Sequence, residues 1–483
     1  MPYVNVPNDL SKIKTKIAFN LTKRQLICFG AGAAIGVPTY LLTRQAIGNT
    51  GALFAMLAIM LPAFLLAMYE KDGLPFEKVI CNIVRVKFTR PGIRPYRTEN
   101  IYAPFARKEE PIEQSKKPKN ANKHRTLSAQ QTIPYIAMHP DGICQLPGGL
   151  YTKTLEYEDI NYAVASTEDQ TAIISGWSAC LNYFDSSLPF QLSFVNRRSR
   201  NANRYKVNIP AQEDDFNSIR GEYVEMLKGQ IAKSNNGIER YKYITFGLPA
   251  EGVAEARPRL GRVEADVMGN LKRLGVQSRP LDGRDRLAVL HGQMHPGGRE
   301  PFRFAWKDIP KTGMGTKDYI APDSFDFRQS RTFRVGQMWG AASYLQIMAS
   351  ELSDKLLAEI LELDAELTVT MHIQTVDQLK AIKTIKGKIS DIGRMKAEEQ
   401  KKAVRAGYDM EILPPDLITF SKDAAELLSD LQSRNERMFL LTFTVVNLAP
   451  TRQRLENDVF TVSGIAQKYN LSLIHISEPT RLQ

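Results

Sequence analysis

Two uncharged apolar runs near the N-terminus constrain the fold of this chain more than any other feature of its sequence. Residues 26–42 form a run of 17 residues and residues 51–69 a run of 19. Since a helix rises about 1.5 Å per residue, each run can cross a hydrocarbon core about 30 Å thick, the first only just. The alternative is a pair of buried helices in a soluble protein. Two adjacent runs of this length favour a two-helix transmembrane hairpin.

Basic residues flank the two runs on their outer sides. Five Lys or Arg side chains lie in residues 12–24 and seven in residues 71–97, whereas Arg44 is the one basic residue between the runs. Lys and Arg collect in the cytoplasmic loops of membrane proteins. The pattern therefore predicts a multi-pass protein of the cell (cytoplasmic) membrane with both termini in the cytoplasm.

The net charge of the chain is concentrated near these runs. Residues 1–130 contain 20 Lys or Arg and 8 Asp or Glu, a surplus of 12 that equals the net charge of +12 of the whole chain. The remaining residues are balanced, which argues against direct nucleic-acid binding by the body of the protein. Basic residues beside apolar spans attract lipid headgroups, so membrane lipid is a predicted partner.

Features inside the two runs narrow the class of membrane protein. Gly32 and Gly36 form a GxxxG pattern, which lets helix backbones come close together. The partner of the first run is then either the second run or a helix of another subunit. Pro38 and Pro62 predict a kink in each run. Neither run contains Asp, Glu, His, Lys or Arg, residues that a transporter would need along an ion pathway. An anchor is therefore favoured over a transporter.

A cytoplasmic body is predicted after the hairpin domain, which takes residues 1–103. Residues 104–131 are poor in apolar residues and rich in Lys, Pro and Asn, a composition that predicts a flexible basic linker. Residues 132–470 mix strand-like and helix-like segments without regular alternation, so we expect an α+β domain. Strands are predicted at 191–196, 241–246, 367–372 and 438–447. Helices are predicted at 216–234, 252–274, 341–361 and 417–434.

Two further helices are predicted with open alternatives. Residues 376–409 form a long charged helical stretch, either a projecting helical hairpin or a solvated helix with no partner. Pro75 can begin a short amphipathic helix, because Pro is favoured in a first turn. Its apolar face either lies on the membrane surface or belongs to a solvated connector.

Motifs that would indicate catalysis are absent from the sequence. A nucleotide-hydrolysing motor needs GxxxxGK[ST], whose amides and Lys hold the phosphates; the cluster that begins at Gly148 has the wrong spacing and predicts a loop. His291 and His295 have the i, i+4 spacing of two metal ligands, but Pro296 follows at once, so ordinary polar or core histidines are favoured. The four cysteines show no paired spacing, which fits a reducing compartment. We therefore expect no catalytic, cofactor-binding or metal-binding residues, no small-molecule substrate and no enzyme activity in this chain.

The N-terminal segment resembles the PrgI family, small membrane subunits encoded in conjugative elements of Gram-positive bacteria. The matching strings are LSKIK at 10–14, FNLTKRQ at 19–25, AMYEKDG at 67–73 and RPY at 94–96. The resemblance covers about residues 1–105. It implies a subunit of a type IV secretion channel that anchors the assembly ATPase, with channel subunits and other copies of the chain as partners.

The body resembles the N-terminal, non-nucleotide-binding half of that assembly ATPase, in the TraC/TrbE/CagE class. The strings are QQTIPY at 130–135, DGIC at 141–144, YEDINY at 157–162, EDQ at 168–170 and LNYFDSS at 181–187. The resemblance implies that the chain docks the ATPase to the channel and that the motor domain is missing. The alternative is a truncated fragment of a conjugation motor that hydrolyses ATP in its full-length form.

Residues 471–483 differ in kind from the sequence before them. The string LSLIHISEPTR resembles the translation of a sequencing-library adaptor. We therefore expect these residues to be an artefact and the natural gene to continue after Asn470 into an ATPase domain. A membrane-tethered adaptor unrelated to secretion is a further alternative, which the neighbouring genes would distinguish.

Overall fold

The computed structural model covers the apolar N-terminal helix and most of the body. The residues that it describes are 3–5, 16–18, 21–71, 74–84, 90–97, 127–160, 162, 164–198, 209–210, 212–234, 238–297, 300–347, 351–353, 355–405, 415–433 and 436–476. The predicted linker at 104–131 lies outside these residues, apart from its last five. The described residues form two compact units. The first takes the described residues in 3–5, 92–381 and 431–476, and the second takes those in 16–91 and 382–430.

Helices and strands follow one another irregularly along the chain, as in an α+β protein. The helices are α1 (Lys23–Met68), α2 (Phe76–Val84), α3 (Ala129–Thr132), α4 (Thr167–Asn182), α5 (Asn217–Ser234), α6 (Val253–Arg273), α7 (Gly283–Met294), α8 (Ile309–Thr312), α9 (Lys355–Leu361), α10 (Gln378–Arg405), α11 (Pro415–Ser433) and α12 (Arg452–Lys468). The strands are β1 (Tyr3–Asn5), β2 (Lys16–Ala18), β3 (Leu21–Thr22), β4 (Glu70–Lys71), β5 (Leu74–Pro75), β6 (Ile93–Pro95), β7 (Ala137–Met138), β8 (Cys144–Leu146), β9 (Leu150–Tyr157), β10 (Phe190–Arg198), β11 (Ile238–Pro249), β12 (Ser278–Pro280), β13 (Ser324–Asp326), β14 (Phe333–Val335), β15 (Met338–Ile347), β16 (Glu351–Ser353), β17 (Glu366–Thr375), β18 (Phe439–Ala449) and β19 (Leu471–His475).

A large antiparallel sheet organises the first unit. Its order is β6-β13-β14-β15-β18-β17-β10-β11-β9-β8-β7, with β12 beside β9 and β19 beside β15. Near the middle of the sheet lies β10, where Phe190 pairs with Phe246 of β11 and with Ile373 of β17. β-Branched and aromatic residues fit a pleated, buried surface. The four strands predicted from them, which fall within β10, β11, β17 and β18, are confirmed.

One face of this sheet packs against helices and forms the main core. Leu155 of β9 and Ile244 of β11 are buried there against Leu260 of α6, and α4, α9 and α12 contribute further apolar side chains. Because side chains alternate between the faces of a strand, the neighbouring Thr154 and Thr245 lie on the opposite face, where their hydroxyls are 2.9 Å apart. The sheet therefore has one apolar face and a second face, called the polar face below, where Thr and Ser side chains lie beside a small apolar cluster that includes Val195 and Tyr243.

The helix predicted at 341–361 is wrong over most of its length. β15 and β16 occupy the first part of this segment, and only α9 is helical. The small residues at its start favour a helix locally. In the fold, however, strand alternation buries Ala341 and Leu345, and β15 pairs with β18 and with β19. Sheet pairing has overridden local propensity. The helices predicted at 216–234, 252–274 and 417–434 are confirmed as α5, α6 and α11.

The strand β19 lies in the segment that we expect to be an artefact. Its residues pair with β15 from Ser343↔His475 to Ile347↔Leu471, and Leu471 is 4% exposed. An apolar run of this kind can extend any open strand by backbone hydrogen bonds. The origin of residues 471–483 is a question about the gene and stays a prediction.

In the second unit, α10 and α11 pack against each other. Ile392 of α10 and Ala424 of α11 are buried, and they pack together with Ile389, Met395 and Phe420. Over the described residues the charged stretch at 376–409 is a single helix, α10, so it does not form a hairpin by itself. It packs against α11, so the alternative of a solvated helix with no partner is also wrong.

Candidate functional site

The apolar helix α1 is the first candidate for function. Thr22 caps its N-terminus, because the Thr22 hydroxyl accepts from the Gln25 N–H at 3.4 Å and Gln25 Oε1 accepts from the Thr22 N–H at 2.9 Å. The helix has 46 residues, and its length of about 69 Å is more than twice the roughly 30 Å of a hydrocarbon core. At Gly48, φ is 74° and ψ is 167°, so helical geometry is interrupted there.

Residues near the two ends of α1 are in contact. The ring centroids of Phe29 and Phe64 are 5.1 Å apart. A Cβ atom added to Gly32 would lie 3.0 Å from the Cβ of Ala63, so the absence of a side chain permits this close approach. The GxxxG pattern therefore faces the second half of the same helix. Contact of this pattern with a helix of another subunit stays a prediction.

The outer surface of α1 is apolar and exposed. Ile35, Leu42, Phe54 and Leu61 are 61%, 80%, 67% and 58% exposed. In the described residues, α1 is the one helix that is long and apolar enough to cross a membrane, and only 11% of its most apolar window is buried. Apolar surface of this extent is unusual on a protein in water. The exposure argues against the alternative of buried helices in a soluble protein.

An ion pair joins α1 to the short helix α2. Arg24 Nη2 lies 3.2 Å from Glu77 Oε2 and also donates to the carbonyl of Leu66. The amphipathic helix predicted after Pro75 is confirmed as α2. Its apolar side chains are uncovered in this unit, since Ile80 is 41% exposed. Both alternatives for this face, membrane surface and solvated connector, stay predictions.

The glycine cluster at 148 is a hairpin turn. Gly148 and Gly149 have φ of 83° and 75°, the left-handed region that glycine adopts at low cost, and they connect β8 to β9 with Leu146 paired to Leu150. A phosphate-binding loop leads into a helix, whose N-terminal amides hold the phosphate. This loop leads into a strand, so the predicted loop is confirmed.

A cavity of about 890 Å³ lies against the polar face of the sheet. Its sheet side is lined by Thr152, Thr154, Gln191, Ser193, Thr245 and Thr442. Arg286 of α7 lines another wall, and its Nη1 donates to the carbonyls of Gly142 and Thr152, both at 2.7 Å. Among the described lining residues there is no Asp or Glu. The cavity therefore combines mostly apolar walls with hydroxyl and amide groups on its sheet side, while the Arg286 guanidinium is bonded to the protein itself.

Glycine is required at the turn that holds Arg286. Gly142 has φ of 80°, and a Cβ atom there would lie 2.2 Å from the carbonyl oxygen of Leu281. Burial lowers the pKa of the Arg286 guanidinium, which has carbonyl and hydroxyl oxygens as its partners. The glycine of the DGIC string at 141–144 is therefore needed for structure, since it allows the backbone of Gly142 to lie close to the carbonyl of Leu281.

Three potential metal ligands converge at the end of α7. The rings of His291 and His295 are stacked with centroids 4.2 Å apart, and His295 Nδ1 lies 3.2 Å from Glu300 Oε2. Donor atoms of all three side chains lie within 4.8 Å of one another. Burial, then His295 and Arg197, lowers the pKa of His291 to about 4. His291 is therefore neutral at pH 7 and can act as a ligand or as an ordinary core histidine.

A buried carboxylate supports the turn after these histidines. Glu366 is 4% exposed, and its Oε1 accepts from the N–H groups of Gly297 at 3.1 Å and Arg198 at 3.3 Å. Burial raises the pKa of Glu366. Among the described residues, its Oε2 has no hydrogen-bond partner, which is costly for a buried oxygen.

Sequence reasoning brought His291 and His295 together but missed Glu300 and the cavity. Glu300 follows the helix end, and helical spacing does not predict its position. The cavity is lined by residues of strands that are far apart in the sequence. These strands become neighbours only through the order of the sheet, which the sequence did not reveal. The alternation of Thr and Ser along β9, β10, β11 and β18 was the one signal that could have indicated a polar sheet face.

Comparison with known proteins identifies the first part of the chain. A comparison with curated proteins finds no match. The family whose description is PrgI family protein matches residues 5–96, a range that includes α1, α2 and the four strings given above. The match supports the PrgI part of the resemblance and makes residues 5–96 similar to PrgI family proteins.

Proposed function

We propose that this chain is a membrane-anchored structural component of a conjugative type IV secretion system, with residues 1–103 as its membrane hairpin domain. The match of residues 5–96 to the PrgI family carries the proposal. The resemblance to this family of conjugative elements supports the assignment to a secretion system. The exposed apolar surface of α1 supports the assignment to a membrane.

A two-helix hairpin explains the geometry of α1 best. The break at Gly48 divides it into halves of about 25 and 20 residues, each long enough for one span. The contact between Phe29 and Phe64 requires the halves to run side by side. The basic residues lie outside both halves, apart from Arg44. The positive-inside rule then puts both ends of the hairpin in the cytoplasm.

In our proposal, the body takes residues 132–470 and is the docking half of an assembly ATPase. Support comes from the strings at 130–135, 141–144 and 181–187, which resemble the TraC/TrbE/CagE class. In that role, the chain holds the ATPase at the channel and binds lipid, channel subunits and other copies of itself. We propose a structural rather than a catalytic role, because the glycine turn at Gly148 leads into a strand.

Transfer of DNA from a donor cell tests this function. Replacing Ile35 and Ile59 together by Asp puts one charge in each half of α1, and each charge costs about 2.5–3.5 kcal/mol at the centre of a span. We expect the double variant to lower the transfer frequency at least about tenfold, since the anchor no longer inserts. The Ile35→Leu/Ile59→Leu chain is the matched control and should transfer normally. Unchanged transfer by the Asp variant would contradict the proposal.

A further inference from the structure

We propose that His291, His295 and Glu300 form a binding site for a divalent transition-metal ion of the zinc class. Their donor atoms lie within 4.8 Å of one another, and His295 Nδ1 is 3.2 Å from Glu300 Oε2. Three ligands at about 2.1 Å from one tetrahedral ion are separated by roughly 3.4 Å. The donor atoms are therefore close enough to share one ion, once the stacked imidazole rings turn out of their parallel arrangement so that their lone pairs converge.

Local structure holds the two histidines on one side of the chain. Residues four apart share a face of a helix, and His291 lies in the last turn of α7 while His295 caps that helix. Their rings are stacked at 4.2 Å with an interplanar angle of 19°. Gly297 follows with φ of 80°, and Glu300 Oε2 lies 3.2 Å from His295 Nδ1.

Charges near the site are balanced. Arg197 packs against α7, since a Cβ atom on Gly292 would lie 2.1 Å from its Nη1. A guanidinium there would oppose a bound cation. The buried carboxylate of Glu366 interacts with both Arg197 and Arg198, and Glu300 brings a second negative charge. The two carboxylates therefore offset the charges of the two arginines, and the protein groups around a bound ion have no net positive charge.

The donor set indicates the class of metal. Two imidazole nitrogens and one carboxylate oxygen suit Zn²⁺ and Co²⁺, whereas Mg²⁺ and Ca²⁺ prefer oxygen ligands throughout. Three protein ligands leave a fourth position for water. A bound ion would also join the end of α7 to the segment that carries Glu300. Binding to the folded state alone would raise the unfolding midpoint.

Cobalt binding by the purified full chain tests the site. The protein is prepared in detergent without an oligohistidine tag, stripped with a chelator and titrated with Co²⁺, whose visible absorption reports coordination by nitrogen and oxygen. We expect one Co²⁺ per chain, displaced by Zn²⁺, and a higher unfolding midpoint with the metal. Absence of stoichiometric binding would overturn the proposal.

Two variants and two controls assign the ligands. We expect His295→Ala and Glu300→Gln each to weaken Co²⁺ binding at least about tenfold. Glu300 has a side chain that is 60% exposed, so its variant keeps the fold. His372→Ala and Glu362→Gln remove an exposed His and an exposed Glu elsewhere, and they should bind Co²⁺ like the parent chain. Equal binding by His295→Ala or by Glu300→Gln would overturn the three-residue site.

Discussion

Placing one aspartate in each half of α1 is expected to release the chain from membranes. Ile35 and Ile59 are 61% and 42% exposed on the outer surface of the helix, where the hairpin would meet lipid. Each Asp costs about 2.5–3.5 kcal/mol at the centre of a span. Together they shift the insertion equilibrium by about 10⁴–10⁵-fold. The measurement is the fraction of the Ile35→Asp/Ile59→Asp chain that sediments with membranes after an alkaline wash.

Two controls separate insertion from other effects of the aspartates. The Ile35→Leu/Ile59→Leu chain keeps the apolar surface and should sediment with membranes like the parent. Val164→Asp adds a charge at a position that is 84% exposed in the body and should also leave sedimentation unchanged. If the double Asp chain still sedimented fully after the wash, α1 would not be the anchor.

Truncating Phe184 is expected to destabilise the body more than most single substitutions. Its side chain is 0% exposed and stacks on Phe190 with ring centroids 4.0 Å apart. Its carbonyl accepts from the Thr375 hydroxyl at 2.8 Å, so the backbone is fixed and cannot close the cavity. Phe→Ala at such a site costs about 3–5 kcal/mol. The measurement is urea unfolding of the Phe184→Ala chain in detergent, followed by Trp fluorescence.

The fluorescence signal reports on the unit that contains Phe184. All three tryptophans, Trp177, Trp306 and Trp339, lie in the first unit. Phe460→Ala is the matched control, because Phe460 is 79% exposed, and surface truncations change the free energy of unfolding by no more than about 0.5 kcal/mol. Similar unfolding midpoints for Phe184→Ala and Phe460→Ala would show that Phe184 is not a core residue.

Local sequence patterns predicted many elements of the body because those elements agree with their surroundings. The strand at 241–246 is rich in aromatic and β-branched residues and lies at the centre of a sheet, where such residues pack well. The segment 341–361 failed because its start is rich in small residues and its pairing partners, β18 and β19, lie about 100 residues further along the chain. Local propensity cannot detect pairing over that distance.

The candidate sites were predicted less completely than the fold. The apolar runs were visible in the sequence, because insertion into a membrane depends on composition and length. The contact between Phe29 and Phe64 was not visible, since it depends on the break at Gly48. Glu300 lies beside His295, with Gly297 between them in the chain. In both cases a glycine with positive φ lies between the residues in contact, and spacing alone does not reveal the contact.

Cysteine labelling from one side of the membrane would decide whether the hairpin crosses it twice. All four native cysteines are free and can be replaced, after which Asn49→Cys marks the break in α1, which is the turn of the proposed hairpin, and Val164→Cys marks the body. With a membrane-impermeant maleimide, we expect Asn49→Cys to be labelled in intact cells and Val164→Cys only after permeabilisation. Labelling of Val164→Cys in intact cells, or protection of Asn49→Cys until permeabilisation, would contradict a hairpin with both ends in the cytoplasm.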